Sequence, residues 1–188
     1  MIFYRPVFGL SPCTSIRQQA LPVGTPHFDV TLLSAGVRLP VLDTDDMANK
    51  DDLMKITVKT TVIAPIDKVW GSYTTPEDIK QWNTASDDWH TTKSTVDLRV
   101  GGTFTSRMEA KDGSFGFDFA GTYTKVVPNE LIEYSFGERT ATVEFNQLGN
   151  GVEVCVTFEA EQQHSVEQQQ QGWQSILNNF AKHVHGHQ

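Results

Sequence analysis

The chain has 188 residues and a formal net charge of −8. That length suffices for one domain with its own hydrophobic core and a tail. The acidic balance excludes the positive surface that nucleic acid requires of a partner. No apolar stretch of about 18 residues predicts a membrane span. Two cysteines are too few for a disulfide scaffold, and no unbroken apolar segment near the N-terminus resembles a signal peptide, so we expect a cytoplasmic protein.

The first 53 residues differ in character from the rest of the chain. They hold five of the eight prolines and show no sustained helical or strand periodicity. They end in the acidic segment DTDDMANKDD at 43–52, which is typical of a solvated linker. We predict an irregular extension and linker over 1–53 and a folded domain over 54–188. We also predict that residues 1–46 are dispensable for folding.

The domain begins with a predicted strand and two short helices. KITVKTTVI at 55–63 alternates between apolar and polar residues as a strand does. A short helix is predicted over 67–74, and a proline at the favoured first position begins a second helix over 76–82. The polar residues 83–93 then predict a loop.

Six further strands follow, separated by glycine-containing turns of the kind found in hairpins. Their alternation has a period of two, so each strand has one apolar face. We place these strands at 94–100, 103–111, 114–127, 130–136, 140–148 and 152–161.

The last predicted element is a long amphipathic helix. Ser165 and Gln168 form a capping box, which marks where the helix begins. An apolar stripe at helical spacing follows, formed by Trp173, Ile176, Leu177, Phe180 and Val184.

This order of elements has few compact arrangements. The sheet must curl to bury its apolar face, and the C-terminal helix is the only element large enough to cover that face. The predicted fold class is therefore α+β, with a curled antiparallel sheet of about seven strands around the long helix. Because a curled sheet and a straight helix differ in shape, we expect a cavity between them.

Several segments carry a resemblance to a known family: VIAPIDKVW at 62–70, PEDIKQW at 76–82, DLRVGG at 97–102, GTYTKVVPNELIEYSF at 121–136 and QQGWQSILNNF at 170–180. In this order they resemble the START-like (SRPBCC) helix-grip superfamily, in the branch named for homology to the activator of the heat-shock-protein-90 ATPase. The resemblance covers 55–184 and none of 1–53. It implies a hydrophobic cavity between sheet and helix, which relatives use for lipids, sterols, flavonoids or polyketides; some relatives are cyclases. The motifs are structural, so they specify the fold and leave the ligand open.

Large apolar side chains are the candidates for ligand contacts. Trp82 and Trp89 flank the loop expected at the pocket mouth, and His90 follows Trp89. Aromatic rings and methionine suit varied apolar ligands, although any single one is more often plain core. The predicted ligand-binding residues are Trp82, Trp89, His90, Phe104, Met108, Phe117, Phe119, Tyr134, Trp173 and Leu177.

Asp88, His90 and Tyr123 are the candidates for acid–base chemistry. A solvated loop explains Asp88 and His90 more simply, since nothing in the sequence fixes their geometry. The histidines from position 183 onward lie on a tail without fixed metal-ligand geometry. No strand-to-helix glycine turn is present for nucleotide phosphates. We predict no catalytic residue, no metal and no cofactor.

Three functions follow from this sequence. The leading hypothesis is a non-catalytic carrier or sensor of a small apolar molecule, such as a lipid, a polyketide or a flavonoid-like compound. The second is a cyclase or dehydratase that uses the same cavity. The third is a co-chaperone-like interaction module, with a chaperone or a second copy of the chain as partner. An enzyme needs an inward-facing titratable pair, a carrier needs only a dry pocket, and an interaction module needs an exposed patch.

Overall fold

The structure, a computed structural model, describes residues 54–186. The predicted extension and linker over 1–53 lie outside this range. Along the chain the elements are β1 (Lys55–Val62), α1 (Ile66–Thr74), α2 (Pro76–Trp82), β2 (Trp89–Val96), β3 (Thr103–Ala110), β4 (Gly116–Val127), β5 (Leu131–Phe136), β6 (Arg139–Leu148), β7 (Gly151–Glu159) and α3 (Val166–Gly186).

The seven strands form one antiparallel sheet in the order β1-β7-β6-β5-β4-β3-β2. The predicted α+β architecture, a curled sheet with a long C-terminal helix and two short helices after the first strand, is confirmed. Two register shifts interrupt the pairing, one between Thr91 and Lys93 in β2 and one between Tyr123 and Lys125 in β4. Such bulges increase the local twist of a strand and help the sheet to curl.

Hydrogen bonds fix helix α3 at its start, in its middle and near its end. At its start, the Ser165 amide donates to Gln168 Oε1 (3.1 Å) and the Gln168 amide donates to Ser165 Oγ (3.2 Å), which confirms the capping box. Further along, Gln174 Nε2 donates to the Lys59 carbonyl (3.0 Å). Near its end, the Ile63 amide donates to His185 Nε2 (3.0 Å). The helix is thereby attached to the edge strand β1.

The two short helices pack beside α3. Trp82 Nε1 donates to the Ser72 carbonyl (3.0 Å), which ties α2 to α1. His183 Nε2 lies 3.0 Å from Asp78 Oδ1 and links α3 to α2. Within residues 54–186, no helix is both long enough and apolar enough to cross a membrane.

The prediction for residues 83–100 was wrong in part. The structure has β2 at Trp89–Val96, where the sequence suggested a loop to 93 and a strand from 94 to 100. β2 is an edge strand of mostly polar residues, and its bulge breaks the alternation, so its pattern is hard to see. Residues 97–102 instead turn back toward β3, with the Gly102 amide donating to the Arg99 carbonyl (2.8 Å).

Candidate ligand-binding cavity

A cavity of about 490 Å³ lies between the inner face of the sheet and α3. Strands β3, β4 and β5 form most of the sheet wall, and β2, β6 and β7 add one residue each. Helix α3 forms the opposite wall, and α1, α2 and the segment after α2 also contribute. Its size is typical of a small-molecule site. The aromatic side chains that line it are Tyr73, Trp82, Phe104, Phe117, Phe119, Tyr123, Tyr134, Phe136 and Trp173.

Phe104 is central to the sheet wall. Its ring centre lies 5.6 Å from that of Phe119, 5.3 Å from Tyr123 and 5.0 Å from Tyr134. Gly121 makes this placement possible, since a Cβ at that position would lie 2.7 Å from a Phe104 ring atom. The alternation of β3, β4 and β5 therefore builds a continuous aromatic surface that faces the helix.

Trp173 connects the helix to that surface. Its ring stacks on Phe158 of β7 at a centroid distance of 4.2 Å and an interplanar angle of 14°. Its ring centre also lies 6.0 Å from Phe136 and 6.1 Å from Phe119. Trp173 is half-buried and lines the cavity, so part of its surface packs in the core and part is available to a ligand.

The mouth of the cavity is marked by the lining residues that are exposed to solvent: Ala85, Phe117, His164 and Gln168. The loop between β7 and α3 forms one side of it. Gln169 Nε2 donates to the carbonyls of Glu161 and His164 (2.9 Å each), and the Glu161 amide donates back to Gln169 Oε1 (2.9 Å). The buried Gln169 side chain thus holds this loop in place at the mouth.

A close contact between His164 and Glu161 lies at the mouth. His164 Nδ1 is 2.6 Å from Glu161 Oε1. The backbone N–H of Gln163, followed by the His164 side chain, holds the pKa of Glu161 below its usual range. Because the His164 side chain is 65% exposed, water screens the pair.

The interior of the cavity carries three tyrosines that stay neutral at physiological pH. Burial, followed by nearby Asp97, raises the pKa of Tyr123 to about 12. Burial also raises the pKa of Tyr134 and Tyr73, and the neighbouring phenols raise both further. Their hydroxyls therefore act as hydrogen-bonding groups rather than charges.

The comparisons with known proteins agree on one family. The profile described as Activator of Hsp90 ATPase homolog 1-like protein matches residues 63–185. A solution structure of the AHSA1-like protein from Aeromonas hydrophila is 44% identical over 71% of this chain and 94% of its own, with a TM-score of 0.68. The chain belongs to this AHSA1-like family.

Two further solved structures share the fold of this AHSA1-like domain. A protein from Cytophaga hutchinsonii is 43% identical over 71% of this chain and 93% of its own, with a TM-score of 0.63. A crystal structure from Chromobacterium violaceum is 25% identical over 69% of this chain and 96% of its own, with a TM-score of 0.62. No curated protein matches the chain.

Most of the residues predicted to contact a ligand lie on the cavity wall. They are Trp82, Phe104, Met108, Phe117, Phe119, Tyr134, Trp173 and Leu177. Their contact with a ligand remains a prediction. The period-two pattern grouped the strand residues on common faces, and the apolar stripe of the helix contained Trp173 and Leu177. Trp82 was predicted from its position beside the loop.

Trp89 and His90 do not lie on that wall. Both belong to β2, which begins at Trp89. The sequence had suggested a loop at these positions. The Trp89 ring instead packs against Phe115 and Phe117, with centroids 6.2 and 5.8 Å away, and His90 is exposed.

Sequence reasoning missed other lining residues of the AHSA1-like domain. Tyr73 belongs to an apolar helical stripe with Ile66, Val69 and Trp70, a spacing that could have placed it. Tyr123 was considered only for acid–base chemistry, although it shares the alternation of β4. Gly172, His164 and Arg139 have no apolar signal, and only the folded chain brings them to the wall.

Asp88 and the charged side chains of β3 and β4 have structural partners. Asp88 Oδ1 accepts a hydrogen bond from Ser86 Oγ (2.6 Å) in the loop before β2. Arg107 Nε donates to Glu109 (2.9 Å), and Arg107 also lies 3.6 Å from Asp118 on the neighbouring strand. Among residues 54–186, no three His, Cys, Asp or Glu side chains gather in a way that could hold a metal ion. His187 lies outside the described residues.

Proposed function

We propose that this AHSA1-like domain binds a small, flat, apolar molecule and acts as its carrier or sensor. The aromatic cavity of about 490 Å³ is the observation that carries the proposal. Protein interiors are normally packed as densely as organic crystals, and empty volume lowers stability. A hollow of this size, lined with rings on several elements, is best explained as space for a ligand.

The family and the lining support the same proposal. Proteins with the AHSA1-like fold commonly bind hydrophobic ligands. Among lipids, polyketides and flavonoid-like compounds, the aromatic wall favours flat ring systems, because rings gain from stacked and edge-to-face contacts with other rings.

A cyclase or dehydratase in the same cavity has less support. Acid–base catalysis needs titratable groups that face the substrate. Asp88 and His90 do not line the cavity, and the Glu161–His164 pair lies at its exposed mouth. Tyr123 does line the cavity, but as a phenol that holds its proton to about pH 12. The arrangement favours binding over chemistry.

An exposed aromatic cluster supports the interaction-module alternative. Phe115 is 62% and Phe117 41% exposed, and both rings pack beside Trp89. A chaperone or a second copy of the chain could bind to this exposed apolar surface. Under this alternative, Phe115→Lys abolishes self-association in sedimentation velocity, or stimulation of a heat-shock-protein-90 ATPase, and leaves small-molecule binding unchanged.

Tryptophan fluorescence tests the carrier proposal, because Trp82 and Trp173 both line the cavity. A panel of flavonoids and fatty acids is titrated into the protein. We expect saturable quenching or a spectral shift, with flat compounds binding in the micromolar range, about −8 kcal/mol. The absence of saturable binding by every compound would contradict the carrier proposal and leave the interaction module in its place.

Gly172 offers a matched pair of variants for the same titration. It lines the cavity, and a Cβ built on it meets no atom within 4 Å. Gly172→Phe should fill the cavity and weaken binding about tenfold or more, whereas Gly172→Ala makes the same backbone change without filling it. Equal affinities in these two variants would show that the ligand binds elsewhere.

A further inference from the structure

Three tyrosines from separate elements meet in the cavity. Tyr123 and Tyr134 are directly opposite each other across β4 and β5. Phe104 packs against both rings. Tyr73 comes from α1 and lines the same space. Its ring is fixed by Trp82, Phe145 and Phe180, whose centroids lie 5.2, 5.3 and 5.2 Å away.

None of the hydrogen bonds formed within residues 54–186 involves the hydroxyl of Tyr73, Tyr123 or Tyr134. None of the three oxygens is among the fully buried unpaired polar atoms either, so each of them borders open space. Tyr123 and Tyr134 are each only 7% exposed. Buried phenols normally have a partner, because a buried hydroxyl without one is unfavourable. Since all three side chains line the cavity, their hydrogen-bonding capacity is available to whatever occupies it.

The three phenols are also close to one another. A negative charge on Tyr123 raises the pKa of Tyr73, and charges on Tyr73 and Tyr123 raise the pKa of Tyr134. Each neutral hydroxyl supplies one donor, and a carbonyl oxygen has two acceptor sites. Each of the three phenols can therefore donate to an oxygen of a ligand in the cavity.

The surroundings disfavour a charged ligand group at this position. Asp97 contributes negative potential at Tyr123, and burial penalises any anion. Arg139, the one arginine on the cavity wall formed by residues 54–186, lies over the Phe136 ring at 4.5 Å and donates to the Glu159 carbonyl (3.4 Å). It is thus engaged with groups other than the phenols.

We propose that the hydroxyls of Tyr73, Tyr123 and Tyr134 are the polar anchor of the cavity and bind an uncharged carbonyl oxygen of the ligand. This inference rests on the proposed function and makes it more specific. The ligand class is then flat aromatic ketones and related conjugated carbonyl compounds, rather than hydrocarbons or molecules that place a carboxylate at this position.

Fluorenone and fluorene form a suitable pair of probes, because both are flat and differ by one carbonyl oxygen. Equilibrium dialysis should show that the wild-type domain binds fluorenone about three- to tenfold more tightly than fluorene. Tyr123→Phe and Tyr134→Phe should each weaken fluorenone binding by a similar factor and leave fluorene binding unchanged within about twofold. The double variant should lose the preference for fluorenone.

Ser106→Ala is the matched control, since Ser106 is another buried hydroxyl on the wall but is not one of the three phenols. It should retain the preference for fluorenone. An equal loss in Ser106→Ala would place the carbonyl elsewhere and overturn the anchor. Tighter binding of fluorene carboxylate than of fluorenone, lost in the tyrosine variants, would overturn the choice of a neutral group.

Two further outcomes separate the anchor from the carrier proposal. If fluorenone and fluorene bind equally and the tyrosine variants change neither, the anchor is wrong and the carrier proposal stands. If the wild-type domain binds neither probe nor any compound of the flavonoid and fatty-acid panel, the proposed function itself fails. Thermal unfolding of each variant verifies that the tyrosine substitutions preserve the fold.

Discussion

The two halves of the sheet carry different side chains on their inner faces. In the half formed by β1, β7 and β6, here the closed half, valines such as Val62, Val143 and Val154 predominate, and the rings of Phe145 and Phe158 pack among them; all of these side chains are buried. In the half formed by β5, β4, β3 and β2, here the open half, the wall consists mainly of aromatic rings and Met108. Both halves have the same alternation of inward and outward side chains. The difference between them therefore comes from how α3 packs over each half.

The position of α3 accounts for this difference. Gln174 and His185 attach the helix to β1 and the residue after it, at one edge of the sheet. Buried valines, together with Phe145 and Phe158, fill the space between the helix and the closed half. Toward the open half the space is wider, and even long aromatic side chains leave a cavity of about 490 Å³. One sheet therefore combines a packed core with the wall of a cavity.

The largest expected effect is on the free energy of unfolding, and it is measured by removing one aromatic ring from the core and one from the cavity wall. Phe180 is fully buried, with ring centres 5.1 Å from Trp82 and 5.2 Å from Tyr73. Phe180→Ala should lower the free energy of unfolding by about 3–5 kcal/mol, because it leaves a new void. Phe119→Ala should cost only about 2 kcal/mol, since its partly buried ring already borders empty space. Urea unfolding measures both, and equal losses would show that the open half is packed as tightly as the core.

A second test uses the tyrosines of the open half at alkaline pH. Below pH about 10 their hydroxyls are protonated in both the folded and the unfolded chain, so stability is unaffected. Above that pH the unfolded chain loses these protons, whereas folded Tyr123 holds its proton to about pH 12. The free energy of unfolding should therefore fall by about 1.4 kcal/mol per pH unit for each tyrosine.

Urea unfolding midpoints between pH 9 and 11.5 measure this slope. Tyr123→Phe should make the free energy of unfolding fall less steeply with pH, by the contribution of one tyrosine. The reason is that phenylalanine has no proton to lose. A slope unchanged in Tyr123→Phe would show that this hydroxyl titrates as it does in water, and that the interior of the cavity is wetter than the structure indicates.

The smallest expected effect concerns the end of α3 that borders the mouth. Ser165→Ala removes the side-chain oxygen that accepts from the Gln168 amide, and should cost about 1 kcal/mol. Ser165→Thr keeps the oxygen and serves as the control. A loss in Ser165→Ala of several kcal/mol would mean that this end supports the whole domain, rather than the first turn of the helix alone.

Much of the fold was accessible from the sequence because the signals are local. Period-two alternation identified six of the seven strands, the proline at 76 marked the start of α2, and Ser165 with Gln168 marked the start of α3. The failure at β2 has a local cause too. An edge strand that reads WHTTKSTV and contains a bulge has little apolar alternation to detect.

The cavity shows where local signals end. Alternation and helical spacing assign a residue to a face, and that was enough to predict seven of the wall residues, from Phe104 to Leu177. Whether a face of the sheet packs against α3 or borders the cavity depends on the position of α3 across the sheet. Long-range contacts, such as that between Gln174 and Lys59, determine this position. The meeting of Tyr73 with Tyr123 and Tyr134 likewise joins residues 50 and 61 positions apart in the chain, which no pattern of period two or 3.6 can relate.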